Sequence, residues 1–319
     1  MRALSLGCAL CLAFAAPAEA QQGIPHIGFL SHCTSSFDEE GFKQGLRELG
    51  YVEGKTIDIA WRRFLTDAKQ LRFAADELVR AKVAIIVTCS TPATRAALEA
   101  TRTIPVIFAA AGDPVATGLA ASLSSPGANA TGVSIQGSDL AAKRLDLLRQ
   151  LAPRARRVAF IATRSNSGSI PAMQALNAAA KTLHIKLETY NTRSAEALDS
   201  ALRAIPWKSI DGALVGADLV TLARGEKIAQ AIRKARLPAV FPWRQFHEYG
   251  ALISYGPDSR QLMRRGAYYV DKILKGAKPA DLPVEQVSKV DLVIDLRVAR
   301  ETGIEVPPEL LYRADEVIR

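Results

Sequence analysis

VAIIVTCSTPATRAALEATRTIPVIFAAAGDPVATG, residues 83–118, is the stretch that decides the fold. Two apolar runs, 83–87 and 106–110, show no polar alternation, which is the pattern of parallel strands buried on both faces. Each run ends in a turn, Cys89-Ser90-Thr91-Pro92 and Ala111-Gly112-Asp113-Pro114. Each turn sets Thr91 or Asp113 before a proline, the N-cap and first-position pair that opens a helix. Helix starts carry free N–H groups and partial positive charge. Two of them at the carboxyl edge of one parallel sheet form a pocket for a polar or anionic group.

The same alternation continues on both sides. Strands are predicted at 27–30, 57–61 and 130–134, with helices at 36–49 and 67–81 between them. After a helix at 138–151 the pattern starts afresh, with strands at 157–163, 185–190, 212–216, 239–241 and 251–254. Helices at 170–183, 194–204 and 220–235 separate them. A long helix at 258–275, a proline-containing link at 278–282 and a strand at 292–296 complete the chain. The fold class is therefore α/β, with two lobes each built on its own sheet. The expected division is 21–134 plus 256–283 for one lobe and 135–255 plus 284–319 for the other.

The first twenty residues read differently. Met1-Arg2 is a short basic start, 3–16 is apolar, and Ala18-Glu19-Ala20 is a small-residue cleavage site, which together describe a secretory signal peptide. Export to the periplasm is predicted, with a mature chain starting near Gln21. No later stretch is long and apolar enough to span a membrane. Cys8 and Cys11 leave with the signal. Cys33 and Cys89 both follow apolar strands and are either disulfide-bonded or two free thiols. The formal net charge is +9, but the basic residues are scattered and not interleaved with aromatics. That describes a solvated basic surface, and nucleic acid is not an expected partner.

Reactive chemistry is absent from the pattern. No dinucleotide fingerprint, Walker A loop, zinc-protease motif or nucleophile elbow occurs, and no cofactor or metal is implied. Of the four histidines only His32 falls at a predicted strand end. Asp113 and Asp218 sit at strand ends in opposite lobes, either as a general acid–base pair or, more plainly, as helix caps. The balance favours binding without turnover.

Several ordered motifs carry a family resemblance. They are GFKQGLRELGYVEG at 41–54, TIPVIF at 103–108, GDPVATG at 112–118, NATGVS at 129–134, SYGPD at 254–258, YVDKILKGAKPADLP at 269–283 and RADEVI at 313–318. They resemble the ABC transporter substrate-binding proteins of the tryptophan-binding group. The resemblance implies a type I periplasmic binding fold, with two Rossmann-like lobes, a multi-stranded hinge and a central ligand cleft. It also implies delivery of a small ligand to an inner-membrane permease driven by a separate ATPase, and the receptor itself is expected to be a monomer. Characterised relatives point to aromatic amino acids. One departure is Thr163-Arg164-Ser165-Asn166, where relatives carry Asn-Pro; Arg164 there either grips a carboxylate bidentately or lies on the rim in solvent.

In such a fold the ligand sits between the carboxyl ends of both sheets. The first lobe then contributes Ser31, Ser90, Thr91, Gly112 and Asp113, and the crossing contributes Ser134. The second lobe contributes Arg164, Asn166 and Asp218. Trp243 and Tyr255 are placed either to stack on a planar or cationic group or to pack the core and hinge. Hinge motion is expected near Ser134, Tyr255 and Pro283. An exported ligand sensor serving a membrane signalling receptor, and an enzyme using the cleft carboxylates, are the alternative functions.

Overall fold

The computed structural model describes residues 23–31, 36–63, 65, 67–163, 167–192 and 195–319. The predicted signal segment, His32, Cys33, Arg164 and Asn166 lie outside them.

Two sheets form. The first contains β1 (His26–Leu30), β2 (Asp58–Arg62), β3 (Ile85–Thr88), β4 (Val106–Ala111) and β5 (Ala130–Ser134). The second contains β6 (Arg157–Thr163), β7 (Lys186–Thr192), β8 (Gly212–Val215), β9 (Ala239–Phe241) and β10 (Ile253–Gly256). The end of the chain is shared. β11 (Glu285–Gln286) pairs with β5, whereas β12 (Asp291–Asp295) and β13 (Glu316–Ile318) extend the second sheet. The segment 285–286, read with the second lobe from the sequence, is thus an edge strand of the first.

The strand orders are β11-β5-β4-β3-β1-β2 and β13-β12-β10-β9-β8-β6-β7. Counted from its own first strand, each sheet therefore runs second, first, third, fourth, fifth, the flavodoxin-like order. Among the described strands every pairing is parallel except β10 with β12. In both sheets the order reverses between the first and third strands, β1/β3 and β6/β8. Ligands of open α/β sheets sit at such reversals, outside the carboxyl ends.

Both sheets are sandwiched between helices. On the first, Ile27 and Phe29 face Phe42, Leu46, Leu262 and Tyr269, while Leu30 and Phe108 face Leu71, Leu78, Ala93 and Ala97. The helices Ser36–Glu48 and Ser259–Leu274 meet through Gly41 and Gly45, one turn apart. A Cβ at either position would lie under 3 Å from the Arg260 or Arg264 carbonyl, so small residues set that helix spacing.

Three elements differ from expectation. The cap of the helix Thr91–Ala100 is Ser90, not Thr91, with Ser90 Oγ accepting from Ala93 N at 3.3 Å. After β4 there is no α-helix. Asp113-Pro114 opens a single turn, closed by Thr117 N bonding Asp113 O at 2.9 Å, and Gly118 at φ +71 ends it. Four residues between Asp113 and Gly118 are too few to propagate a helix. The helix read at 220–235 is two pieces, Leu219–Ala223 and Gly225–Lys234. Gly225 at the junction lies against the Tyr249 ring, where a Cβ would be 2.5 Å away.

Candidate functional site

One cavity of about 120 Å³ opens between the facing carboxyl edges of the sheets. From the first sheet it is lined by Cys89, Ser90, Thr91 and Gly112, and from the second by Gly216, Ala217, Asp218 and Trp243. Beyond this polar edge the lining becomes apolar. Ala141, Phe160, Ala162, Ala172, Leu176 and Leu214 form a recess between β6, β8 and the helices Gly137–Leu151 and Ser169–Thr182. Phe160 and Ala162 lie on one face of β6 because side chains alternate along a strand, and Phe160 is in register with Leu214 of β8.

The nominated residues separate into two groups. Ser90, Thr91, Gly112, Asp218 and Trp243 line the cavity. Ser31, Asp113, Ser134 and Tyr255 do not, and each has another bond. The Ser31 hydroxyl is 3.4 Å from Cys89 Sγ; because Cys89 is disulfide-bonded, the hydroxyl is the donor. The cysteine bonded to Cys89 lies outside the described residues. Ser134 Oγ donates to Gly112 O at 3.0 Å and accepts from Gln136 N at 3.2 Å, which ties the crossing to β4. Asp113 Oδ2 accepts from Ser138 N at 3.0 Å and Ser138 Oγ at 2.6 Å. Its carboxylate therefore caps the helix Gly137–Leu151, across the crossing, and not a helix of its own. Tyr255 packs on the second core, and its carbonyl accepts from Arg144.

Asp218 is both cap and wall. It is 2% exposed. Its Oδ1 accepts from Thr221 N at 2.9 Å and its Oδ2 from Thr163 N at 3.1 Å, which joins the ends of β8 and β6. Burial pushes its carboxyl up to about 6, against the downward pull of those hydrogen bonds. Thr91 is held by Gly112 N, which donates to its Oγ1 at 3.1 Å. Trp243 stacks on Phe246 at 6.3 Å between ring centroids and still presents a surface to the cavity.

Sequence reading missed Arg144 and the whole recess. Arg144 lines the cavity at 5% exposure. Burial draws its pKa down to about 10. It and Asp218 are the charged residues of the lining among the described residues, and they do not pair with each other. The facing walls are also in contact. A Cβ placed on Gly112 would be 2.9 Å from the carbonyl oxygen of Gly168, which follows β6, so the cleft is shut at this point.

The ABC transporter substrate binding protein model matches residues 24–318. The chain belongs to that family. Among its relatives is a tyrosine-binding protein of Clostridioides difficile, 26% identical over 275 residues, covering 86% of this chain and 79% of the relative. The crystal structure of an ABC domain in complex with L-Trp from Streptococcus pneumonia superposes with a TM-score of 0.85 at 26% identity. It covers 92% of this chain and 99% of the other. A conserved domain protein from Vibrio cholerae gives 0.86, also at 26% identity and with the same coverage. The family's two-lobed fold is the one described above.

Proposed function

We propose that this chain is the solute receptor of an ABC importer, exported by residues 1–20, and that its lobes close around an aromatic amino acid. The observation that carries the reading is the recess. Its walls are the alkyl and phenyl groups of Ala141, Phe160, Ala162, Ala172, Leu176 and Leu214, an apolar lining that suits a ring and excludes a charged side chain. The polar edge suits the other end of such a solute. Ser90 and Thr91 stand at a helix start and offer hydrogen-bonding groups to a polar head, and Asp218 supplies a buried carboxyl suited to an ammonium group. The family, and the L-Trp and tyrosine named for its relatives, support the same class. In this reading 21–134 and 258–286 make one lobe and the remaining mature residues the other, with the chain crossing near 135, 257 and 288. Ligand contacts from both lobes exist only in the closed form, so binding shifts the population towards the shape a permease recognises.

Isothermal titration calorimetry with L-Trp, L-Tyr, L-Phe, L-Leu and L-Glu tests this. At least one aromatic amino acid should bind at least tenfold more tightly than leucine, roughly 1.4 kcal/mol. Equal or tighter binding of leucine would sink the ring-in-recess assignment.

A further inference from the structure

Arg144 is a buried cation without a counter-ion among the described residues. It stands two turns into the helix Gly137–Leu151 and is 5% exposed. Its Nε donates to the Tyr255 carbonyl at 2.7 Å and its Nη2 to the Pro242 carbonyl at 3.4 Å. No carboxylate among the described residues pairs with it. A guanidinium offers five N–H donors in a planar fork, and two neutral carbonyls leave most of them unused. Tyr255 and Pro242 lie at the carboxyl ends of β10 and β9, so the fork stands on the cavity floor beside Trp243. The neighbouring polar side chains, Gln245 and Ser259, bond each other at 2.7 Å. Removing a cation from water is costly unless a hydrogen-bonded anion compensates, and a planar carboxylate fits the fork in two parallel bonds.

We propose that Arg144 selects an acidic head on the solute, its guanidinium taking the ligand carboxylate when the cleft is filled. The inference rests on the receptor reading above but adds a residue and a charge requirement to it. Arg144 and Asp218 then face the two opposite charges of one zwitterion. The rival role is a strut, in which Arg144 only clamps the ends of β9 and β10. A strut has no preference for an acid over its amide.

The test therefore measures acid against carboxamide. The probes are L-tryptophan with L-tryptophanamide and L-leucine with L-leucinamide, titrated into wild type, Arg144→Met and Arg144→Lys. Wild type should favour an acid over its amide by at least about tenfold, the range of a hydrogen bond to a charged group. Arg144→Met should collapse that ratio towards one with little change for the amide, and Arg144→Lys should keep part of it. Equal loss of acid and amide in Arg144→Met overturns the proposal, as does a wild type that binds the amide as well as the acid. If Arg144→Met does not fold, Arg144→Lys carries the test, and an acid-to-amide ratio in it equal to that of wild type overturns the proposal. If the leucine pair shows the Arg144-dependent preference while neither tryptophan compound binds, Arg144 stands and the aromatic reading falls. If neither acid binds wild type, both fall.

Discussion

His247 sits in the second lobe where the fold has no room for its charge. It is 9% exposed, with Nε2 2.9 Å from Ser254 Oγ. Burial outweighs the attraction of Asp295 and draws its pKa from 6.5 down to about 4. The unfolded chain takes up a proton near pH 6.5 that the native ring refuses, so this group lowers stability as pH falls from about 6.5 to about 4. Asp218 acts in the opposite sense. Its native pKa of about 6 exceeds the unfolded 3.8, so protonation favours the native state as pH falls through that same window. The wild-type pH profile is thus a partial cancellation, and a variant is needed to separate the two. His247→Gln removes one side of it. Between pH 7 and pH 5 the stability gap between wild type and His247→Gln should move in the variant's favour by about 1–2 kcal/mol, read from urea denaturation at each pH. An unmoved gap would mean that the native ring accepts its proton.

Asp113 shows what the sequence could tell about elements and what it could not. The Asp-Pro pair reads as a helix start, and the carboxylate is indeed a cap, but of the helix Gly137–Leu151. That helix has no side-chain cap of its own: Gln136 precedes it in the left-handed region at φ 51. A residue 25 positions away fills the place, and no local pattern announces it. Asp113→Ala should therefore cost about 1 kcal/mol, measured by denaturation, although no helix follows residue 113 directly. A cost indistinguishable from zero would show that Ser138 is satisfied otherwise. The sheets were legible because unalternated apolar runs and Gly, Ser and Pro breaks are local signals. The positions of Ser90, Thr91 and Asp218 on the cavity lining were legible because a helix that starts directly after a parallel strand starts at the carboxyl edge of the sheet. The recess was not. Phe160, Ala162, Leu176 and Leu214 belong to the same packed cluster as the second core, so in sequence a pocket wall and a core wall look alike. Arg144 was hidden for a similar reason, because a basic residue in an amphipathic helix ordinarily points to water, and only the fold reveals that this one is buried.

For the whole molecule, the contact between Gly112 and Gly168 offers a way to separate closure from folding. Gly112 is on the first lobe's edge, at the end of β4, and Gly168 follows β6 of the second. The three atoms nearest to a Cβ built on Gly112 all belong to Gly168, the closest being its carbonyl oxygen at 2.9 Å. A real Cβ essentially never sits that near a backbone oxygen, and neither backbone can yield as a flexible side chain would. Gly112→Val therefore meets an obstacle only when the lobes come together. The open form, in which that contact is broken, accommodates the valine, so thermal stability without ligand should be close to wild type. Ligand binding draws on the closed population, and any free energy added to closure subtracts from affinity in full. A penalty of about 1.4 kcal/mol or more weakens binding at least tenfold. Small-angle scattering supplies the second readout: saturating ligand should shrink the radius of gyration of wild type at a concentration that leaves Gly112→Val extended. If the variant binds as tightly as wild type and contracts alongside it, the lobes do not need this contact to close, and the clamshell account of binding loses its support.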